Sequence, residues 1–294
     1  MITLFISRTV IFISRTVIFS RRKVTVLNYL RLPPNMIFLR PSPSHCLKTA
    51  LILVAFFAGN PPSRAATLAL FPAADATLYE DPAGSGANGA GEFLFAGRTN
   101  LATTPNRRSL LRFDLSGLPA GATVTSASLR LHMVVVVTSD AQVNLHRVTS
   151  AWTAGPSDPI GNEAAGVSAG AGDATWLHAS FSNILWSAPG GDAASAPSAS
   201  VLIGTISDYY TWTGSGVLSD VQAWAASPSA NFGWLLRTDE TVPFTAKRFE
   251  SGNSLNAALR PLLTVEFEII PEPGSVGLLT LAFASGAYRR RRAR

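Results

Sequence analysis

Residues 127–133, Ala-Ser-Leu-Arg-Leu-His-Met, alternate apolar and polar side chains without a break. Ala127, Leu129, Leu131 and Met133 fall on one side, and Ser128, Arg130 and His132 on the other. A period of two suits a pleated strand with one buried face; at 3.6 residues per turn the same apolar positions would scatter around a helix. The spacing predicts a strand within 122–137. Residues 109–115 repeat the pattern, with Leu111, Phe113 and Leu115 against Leu110, Arg112 and Asp114. In 142–148, Val143, Leu145 and Arg147 oppose Asn144, His146 and Val148. In 261–269, Leu263, Val265 and Phe267 oppose Thr264, Glu266 and Glu268. "TLYE", "EFLFAG", "SVLIGTI", "GWLLR" and "AKRFES" read as further short strands.

Turns rich in Gly, Pro, Asn and Asp separate these runs, as in "EDPAGSGANGAG" and "DLSGLPAGA". One segment, "GVLSDVQAWAAS", has helical spacing, with Val217, Val221 and Trp224 at i, i+4 and i+7. The Ala/Gly/Ser-rich stretches 163–175 and 187–200 read as surface loops, because small side chains build little core. Many short strands, one helix and no βαβ alternation predict an all-β antiparallel sandwich over residues 66–270.

The charges sort by position. Residues 1–65 carry nine Lys or Arg and no acid, and 271–294 carry five Arg and one Glu. Residues 66–270 hold ten basic and seventeen acidic residues, a net charge of −7. Such a domain repels phosphate backbones, which argues against nucleic acid as a partner. The single cysteine, Cys46, precedes the domain, so the domain has no internal disulfide and no cysteine nucleophile.

The N-terminal end contains the seven residues FISRTVI twice in tandem, at 5–11 and 12–18. Residues 1–35 read as a local duplication, an upstream mis-start or an unstructured leader. From Met36 the layout is that of a secretory signal peptide over 36–65: Arg40 and Lys48, an apolar core Ala50–Gly59, then Ser63-Arg64-Ala65. Cleavage by signal peptidase is expected at Ala65. The apolar core is too short to span a bilayer as a mature helix. Cys46 lies before it, not after, which argues against a lipoprotein.

The C-terminal end, "PEPGSVGLLTLAFASGAYRRRRAR", is uncharged from Gly274 to Tyr288 and then basic over 289–294. A helix of 274–288 would be about 22 Å long, a marginal span for a core of about 30 Å. Its arginines would stay cytoplasmic. This order of Pro271, Glu272 and Pro273, apolar segment and basic tail resembles the PEP-CTERM sorting signal. The resemblance implies an exosortase, a membrane protease that recognises the Pro-Glu-Pro region and cuts there. The prolines keep that site extended and out of a helix.

"ADATLYE", "LFAGRTN", "RRSLLRFDLSGLPAGATVTSASLRL" and "VNLHRVTSAWTAG" resemble the DNRLRE domain, a jelly-roll similar to one family of carbohydrate-binding modules. "GDATWLHASF", "NFGWLLR" and "AKRFESGNSLNAALRPLLTVEFE" resemble its second half. The likeness covers roughly residues 70–268. The usual "SWTEG" stands here as "AWTAG" at 151–155. The resemblance implies a noncatalytic jelly-roll sandwich that binds glycan.

Glycan sites stack aromatic rings on sugar faces. Trp176, Trp186, Tyr209, Tyr210 and Trp212 lie in polar or loop-like surroundings and are the stacking candidates; Trp152, Trp224 and Trp234 read as structural. No cofactor is expected beyond a structural calcium, to which Glu80 with Asp81, or Asp239 with Glu240, could contribute oxygens. No catalytic residue is assigned. "RLH" at 130–132 is the one hint of the alternative, a polysaccharide lyase or hydrolase, because some jelly-roll lyases use Arg, His and Tyr. A matrix scaffold without ligand is the other alternative. The expectation is an exported protein of a Gram-negative bacterium. It is held at the membrane through its C-terminal helix during sorting, then released to the cell surface or extracellular matrix, with exopolysaccharide as partner.

Overall fold

The computed structural model describes residues 2–6, 9–13, 64–134, 139–161 and 163–269. It divides into two units, Met1–Ala58 and Gly59–Arg294. In the first, Ile2–Ile6 pairs antiparallel with Thr9–Ile13, Ile2 opposite Ile13. The apolar core of the expected signal peptide, the Pro271–Pro273 motif, the helix 274–288 and the basic tail lie outside the described residues. Among the described residues no helix is long and apolar enough to cross a membrane.

Among the described residues the main sheets of the second unit are built from eleven strands, with one α-helix beside them: β1 (Arg64–Leu70), β2 (Pro72–Tyr79), β3 (Phe93–Arg98), β4 (Asn106–Phe113), β5 (Thr123–Val134), β6 (Ala141–Arg147), β7 (Ala199–Ile203), β8 (Asp208–Thr213), α1 (Ser215–Ala226), β9 (Trp234–Arg237), β10 (Lys247–Glu250) and β11 (Leu262–Ile269). They form two antiparallel sheets. In sheet one, β8 borders one edge of β5. The other edge of β5 takes β11 along Thr123–Arg130 and β10 at Met133 and Val134. Outside these lie β1, on β11, and β3, on β10. Sheet two runs β7–β6–β9–β4–β2. The sheets join at a corner where Gly97 and Arg98 of β3 pair with Arg107 and Asn106 of β4. Gly97 turns that corner at φ +121°, and a Cβ there would come within 2.5 Å of the Thr245 carbonyl oxygen. Glycine alone tolerates both conditions.

The predicted alternation decides the core. Leu129, Leu131 and Met133 of β5 face Val143 and Leu145 of β6 and Leu111 and Phe113 of β4 across the sandwich. Helix α1 closes one end, burying Val217, Val221 and Trp224 as its spacing predicts. Trp224 packs edge-on to Trp234 at 4.5 Å. The Trp234 indole N–H donates to the buried carboxylate of Asp220 at 2.8 Å.

Sheet two is covered on its outer face as well. Leu78, Leu110 and Leu235 meet Val148, Trp152, Trp176 and Trp186, which come from the long connection between β6 and β7. Leu110 and Leu111 are therefore both fully buried, although they point to opposite faces. This corrects in part the reading of 163–175 and 187–200 as surface loops, since 187–198 stay exposed or half-buried apart from Gly190. Residues 163–165 form a 3₁₀ turn, Val167–Ser168 pairs with Gly86–Ala87, Asp173, Ala174 and Thr175 are buried, and Ala199 opens β7. His146 is buried under the same cover, hydrogen-bonded to the Ala194 carbonyl at 2.9 Å, and its pKa is lowered by that burial.

Candidate functional site

Among the described residues the outer face of sheet one carries no such cover, and it gathers unspent chemistry. β5 sends Arg130 and His132 outward, alternating with its core residues. Register then aligns the neighbours. Tyr209 of β8 stands opposite His132. On the other edge Arg248 pairs with Val134, so the next outward position of β10, Glu250, comes level with His132. Glu250 in turn pairs with Phe93 of β3. Four neighbouring strands thus present Tyr209, His132, Glu250 and Phe93 in a row across the sheet. Strand spacing makes that row about 14 Å from end to end.

An arginine lies over the ring at each end. The guanidinium of Arg130 is 4.5 Å from the Tyr209 centroid, and that of Arg248 is 4.6 Å from the Phe93 centroid. Among the described residues neither guanidinium makes a hydrogen bond or an ion pair. Their Nε atoms and the Nδ1 of His132 are shielded from water and without a partner. The His132 ring meets Tyr209 edge-on at 5.0 Å. Glu250 is 8 % exposed, and its carboxylate likewise has no hydrogen bond or ion pair among the described residues. Buried polar groups are ordinarily satisfied. A face with two uncommitted cations, a carboxylate, an imidazole and two rings is equipped to bind a polar ligand carrying negative charge.

The face is held by its neighbours. The Tyr209 hydroxyl donates to the Ala258 carbonyl at 3.1 Å. Lys247, fully buried beside Arg248, donates to the carbonyls of Ser139 and Gly204 at 2.7 and 2.8 Å, pinning the turn that leads into β8. Phe93 is set by Glu163, whose carboxylate accepts from the Glu92 and Phe93 amides, each at 2.9 Å.

Of the five predicted stacking residues, Tyr209 reaches this face, 39 % exposed. The structure places the other four elsewhere. Trp212 is fully buried and donates to the Val143 carbonyl at 2.9 Å; Tyr210, its neighbour in β8, packs half-buried against the same core. Trp176 and Trp186 belong to the cover of sheet two, with Arg108 4.6 Å above Trp176 and the Trp186 N–H held by the Thr175 carbonyl. The three buried indoles, Trp176, Trp186 and Trp212, offer no open face to a sugar. Arg130, His132, Phe93, Arg248 and Glu250 were not singled out as glycan ligands. Arg130 and His132 stood in the "RLH" signal; the other three become neighbours only through cross-strand register.

The calcium candidates are occupied locally. Asp81 closes a turn by accepting from Ser85 and Ala83, which hold its pKa low, and Asp239 does the same with Thr241. Glu80 accepts the Asn106 amide. Glu240 makes a paired contact with Arg108, both bonds 2.7 Å. Among the described residues no three His, Cys, Asp or Glu side chains gather as a metal site.

Comparison with known proteins bears on one stretch. Residues 66–155 match the family model of carbohydrate-binding module family 96. The matched stretch spans β1 to β6 and includes Phe93, Arg130 and His132. The first part of the sandwich, residues 66–155, is therefore similar to a carbohydrate-binding module, which is compatible with a binding role. Tyr209, Arg248 and Glu250 lie beyond the match and complete the face of this module-like domain. The chain matches no curated protein.

Proposed function

We propose that this is an exported bacterial protein of the cell surface or extracellular matrix, whose noncatalytic sandwich binds exopolysaccharide on the outer face of sheet one. The observation that carries the reading is the pair of free guanidiniums, Arg130 and Arg248, each over a ring, in a domain similar to a carbohydrate-binding module. Rings stack on sugars and guanidiniums pair with carboxylates or sulfates, so the ligand is an anionic polysaccharide.

A glycan array with the purified protein tests it. Binding to acidic polysaccharides that falls at least tenfold in Tyr209→Ala and in Arg130→Ala supports the site. Binding that survives both substitutions refutes it. Release of unsaturated or reducing sugar ends would favour the alternative, an enzyme using Arg130, His132 and Tyr209. That reading draws on the closeness of these three side chains.

Export by a signal peptide cut at Ala65 and sorting by an exosortase at Pro271-Glu272-Pro273 complete the proposal. It draws support from the sequence order of the two ends. It also fits the antiparallel pairing of β1 with β11, which sets Arg64 opposite Ile269, so both ends of the domain leave from one side. Ala65 lies exposed in that edge strand. Intact mass of the protein recovered from its own cells is expected to end upstream of residue 274; a species retaining Arg294 would refute the sorting step.

A further inference from the structure

The row Tyr209–His132–Glu250–Phe93 carries information about the pattern of charge in the ligand, beyond its sign. Its two ends are cationic and aromatic, with Arg130 over Tyr209 and Arg248 over Phe93. Its centre is not. There stands Glu250, shielded to 8 % exposure and with no hydrogen bond or ion pair among the described residues. A carboxylate so placed accepts from hydroxyl or amide donors and repels a second carboxylate. The row is about 14 Å long, more than one sugar ring, so a single sugar cannot reach both ends.

We propose that this face binds a polysaccharide in which acidic sugars alternate with neutral ones, laid across the strands of sheet one. Acidic groups meet Arg130 and Arg248, and a neutral sugar between them donates its hydroxyl or amide hydrogens to Glu250. The ends supply attraction and stacking, and the centre supplies discrimination. A uniformly acidic polymer satisfies both arginines but sets a carboxylate against Glu250. A neutral polymer satisfies Glu250 and leaves both guanidiniums unpaired. A short oligosaccharide reaches one end only.

The inference rests on the glycan-binding reading, and its test separates the two. Titration calorimetry of the full chain would compare three hexasaccharides. One is from hyaluronan, with uronic acid and N-acetylhexosamine in alternation, one from polygalacturonate, acidic at every residue, and one a neutral maltohexaose. The alternating hexasaccharide is expected to bind about tenfold more tightly than either other, a difference of about 1.4 kcal/mol. The alternating disaccharide should bind at least tenfold more weakly than its hexasaccharide. Glu250→Gln should raise affinity for the oligogalacturonide about fivefold and lower affinity for the alternating ligand about threefold, because a neutral amide oxygen is a weaker acceptor than a carboxylate; Glu250→Asp, which keeps the charge, should retain the discrimination. Equal affinity for the two acidic ligands, or a Glu250→Gln effect that is the same on both, overturns the inference while leaving glycan binding in place. No binding of these three probes or of acidic matrix polysaccharide overturns both. Unfolding midpoints of both variants within a few degrees of the parent confirm that ligand contacts are being read.

Discussion

At the scale of single residues, burial divides two neighbours in β8 into different trades. Trp212 is fully enclosed and Tyr209 is 39 % exposed, three positions away. Trp212→Ala should cost about 3–5 kcal/mol of stability through the cavity it leaves, measured by denaturant unfolding. Tyr209→Ala loses a cross-strand contact and a cation–π pair, so it should cost about 1 kcal/mol in the same experiment while removing glycan binding. Equal stability losses would contradict the assignment. Asp75 of β2 is a different case. It is 5 % exposed and accepts the Gly252 amide at 2.6 Å, and burial pushes its pKa up to about 7. The folded state thus holds this proton more tightly than the unfolded chain does. The stability this one group contributes is fullest below pH 4, falls as pH rises from about 4 to about 7, and levels off above, a total of a few kcal/mol. Asp75→Asn keeps the acceptor for Gly252 and removes the charge. Denaturant unfolding at several pH values should show a flatter slope over that window and a more stable variant at pH 8. The slope should not vanish, because burial also raises the pKa of Glu163.

At the scale of elements, the connection between β6 and β7 both covers sheet two and reaches round to sheet one. Glu163 ties it to the turn before β3 through the amides of Glu92 and Phe93 and the side chain of Asn88. Glu163→Ala leaves the Glu92 and Phe93 amides without their acceptor, while Asn88 still donates to the Tyr79 hydroxyl and the Phe93 carbonyl, at a cost of about 1–3 kcal/mol. Amide exchange at Glu92 and Phe93 should quicken at least tenfold, and because Phe93 floors one end of the row, glycan affinity should fall although Glu163 touches no ligand. Unchanged exchange at both amides would mean the turn stands without it. The same element explains where sequence reasoning reached its limit. Period two in 127–133 and 263–267 located β5 and β11, and the i, i+4, i+7 spacing of Val217, Val221 and Trp224 located α1, because each pattern is local. The cover over sheet two left no such trace. Trp176 and Trp186 sit among Ala, Gly and Ser, and their burial depends on Leu110 and Leu235 far along the chain. The candidate face was legible at Tyr209 and in part at Arg130 and His132. Arg248, Glu250 and Phe93 join it through pairings of β10 with β5 and β3, which a linear pattern does not contain.

At the scale of the whole molecule, the face and the field around it oppose each other. The chain as written has a pI near 10.0, yet residues 66–270 carry a net charge of −7, because the basic residues concentrate at the two ends. In the trimmed form proposed above, residues 66–270 would approach an anionic polymer against their own long-range field, and only the last few ångströms would favour contact, through Arg130 and Arg248. The two ranges respond differently to salt. Between 0.01 and 0.1 M ionic strength the Debye length shrinks from about 30 Å to about 10 Å, which removes repulsion across the domain and spares contacts at hydrogen-bond distance. Association of the trimmed protein, residues 66–270, with an immobilised acidic polysaccharide should therefore quicken as salt rises over this range. Above it, dissociation should quicken instead, as the arginine contacts are themselves screened. Affinity should pass through a maximum near the upper end of the range. The untrimmed chain, with its basic ends, should lose affinity steadily from the lowest salt. Surface-binding kinetics of the two forms read this directly. An association rate for the trimmed form that only falls with added salt would mean that the arginine face, not the net charge of the domain, sets the approach.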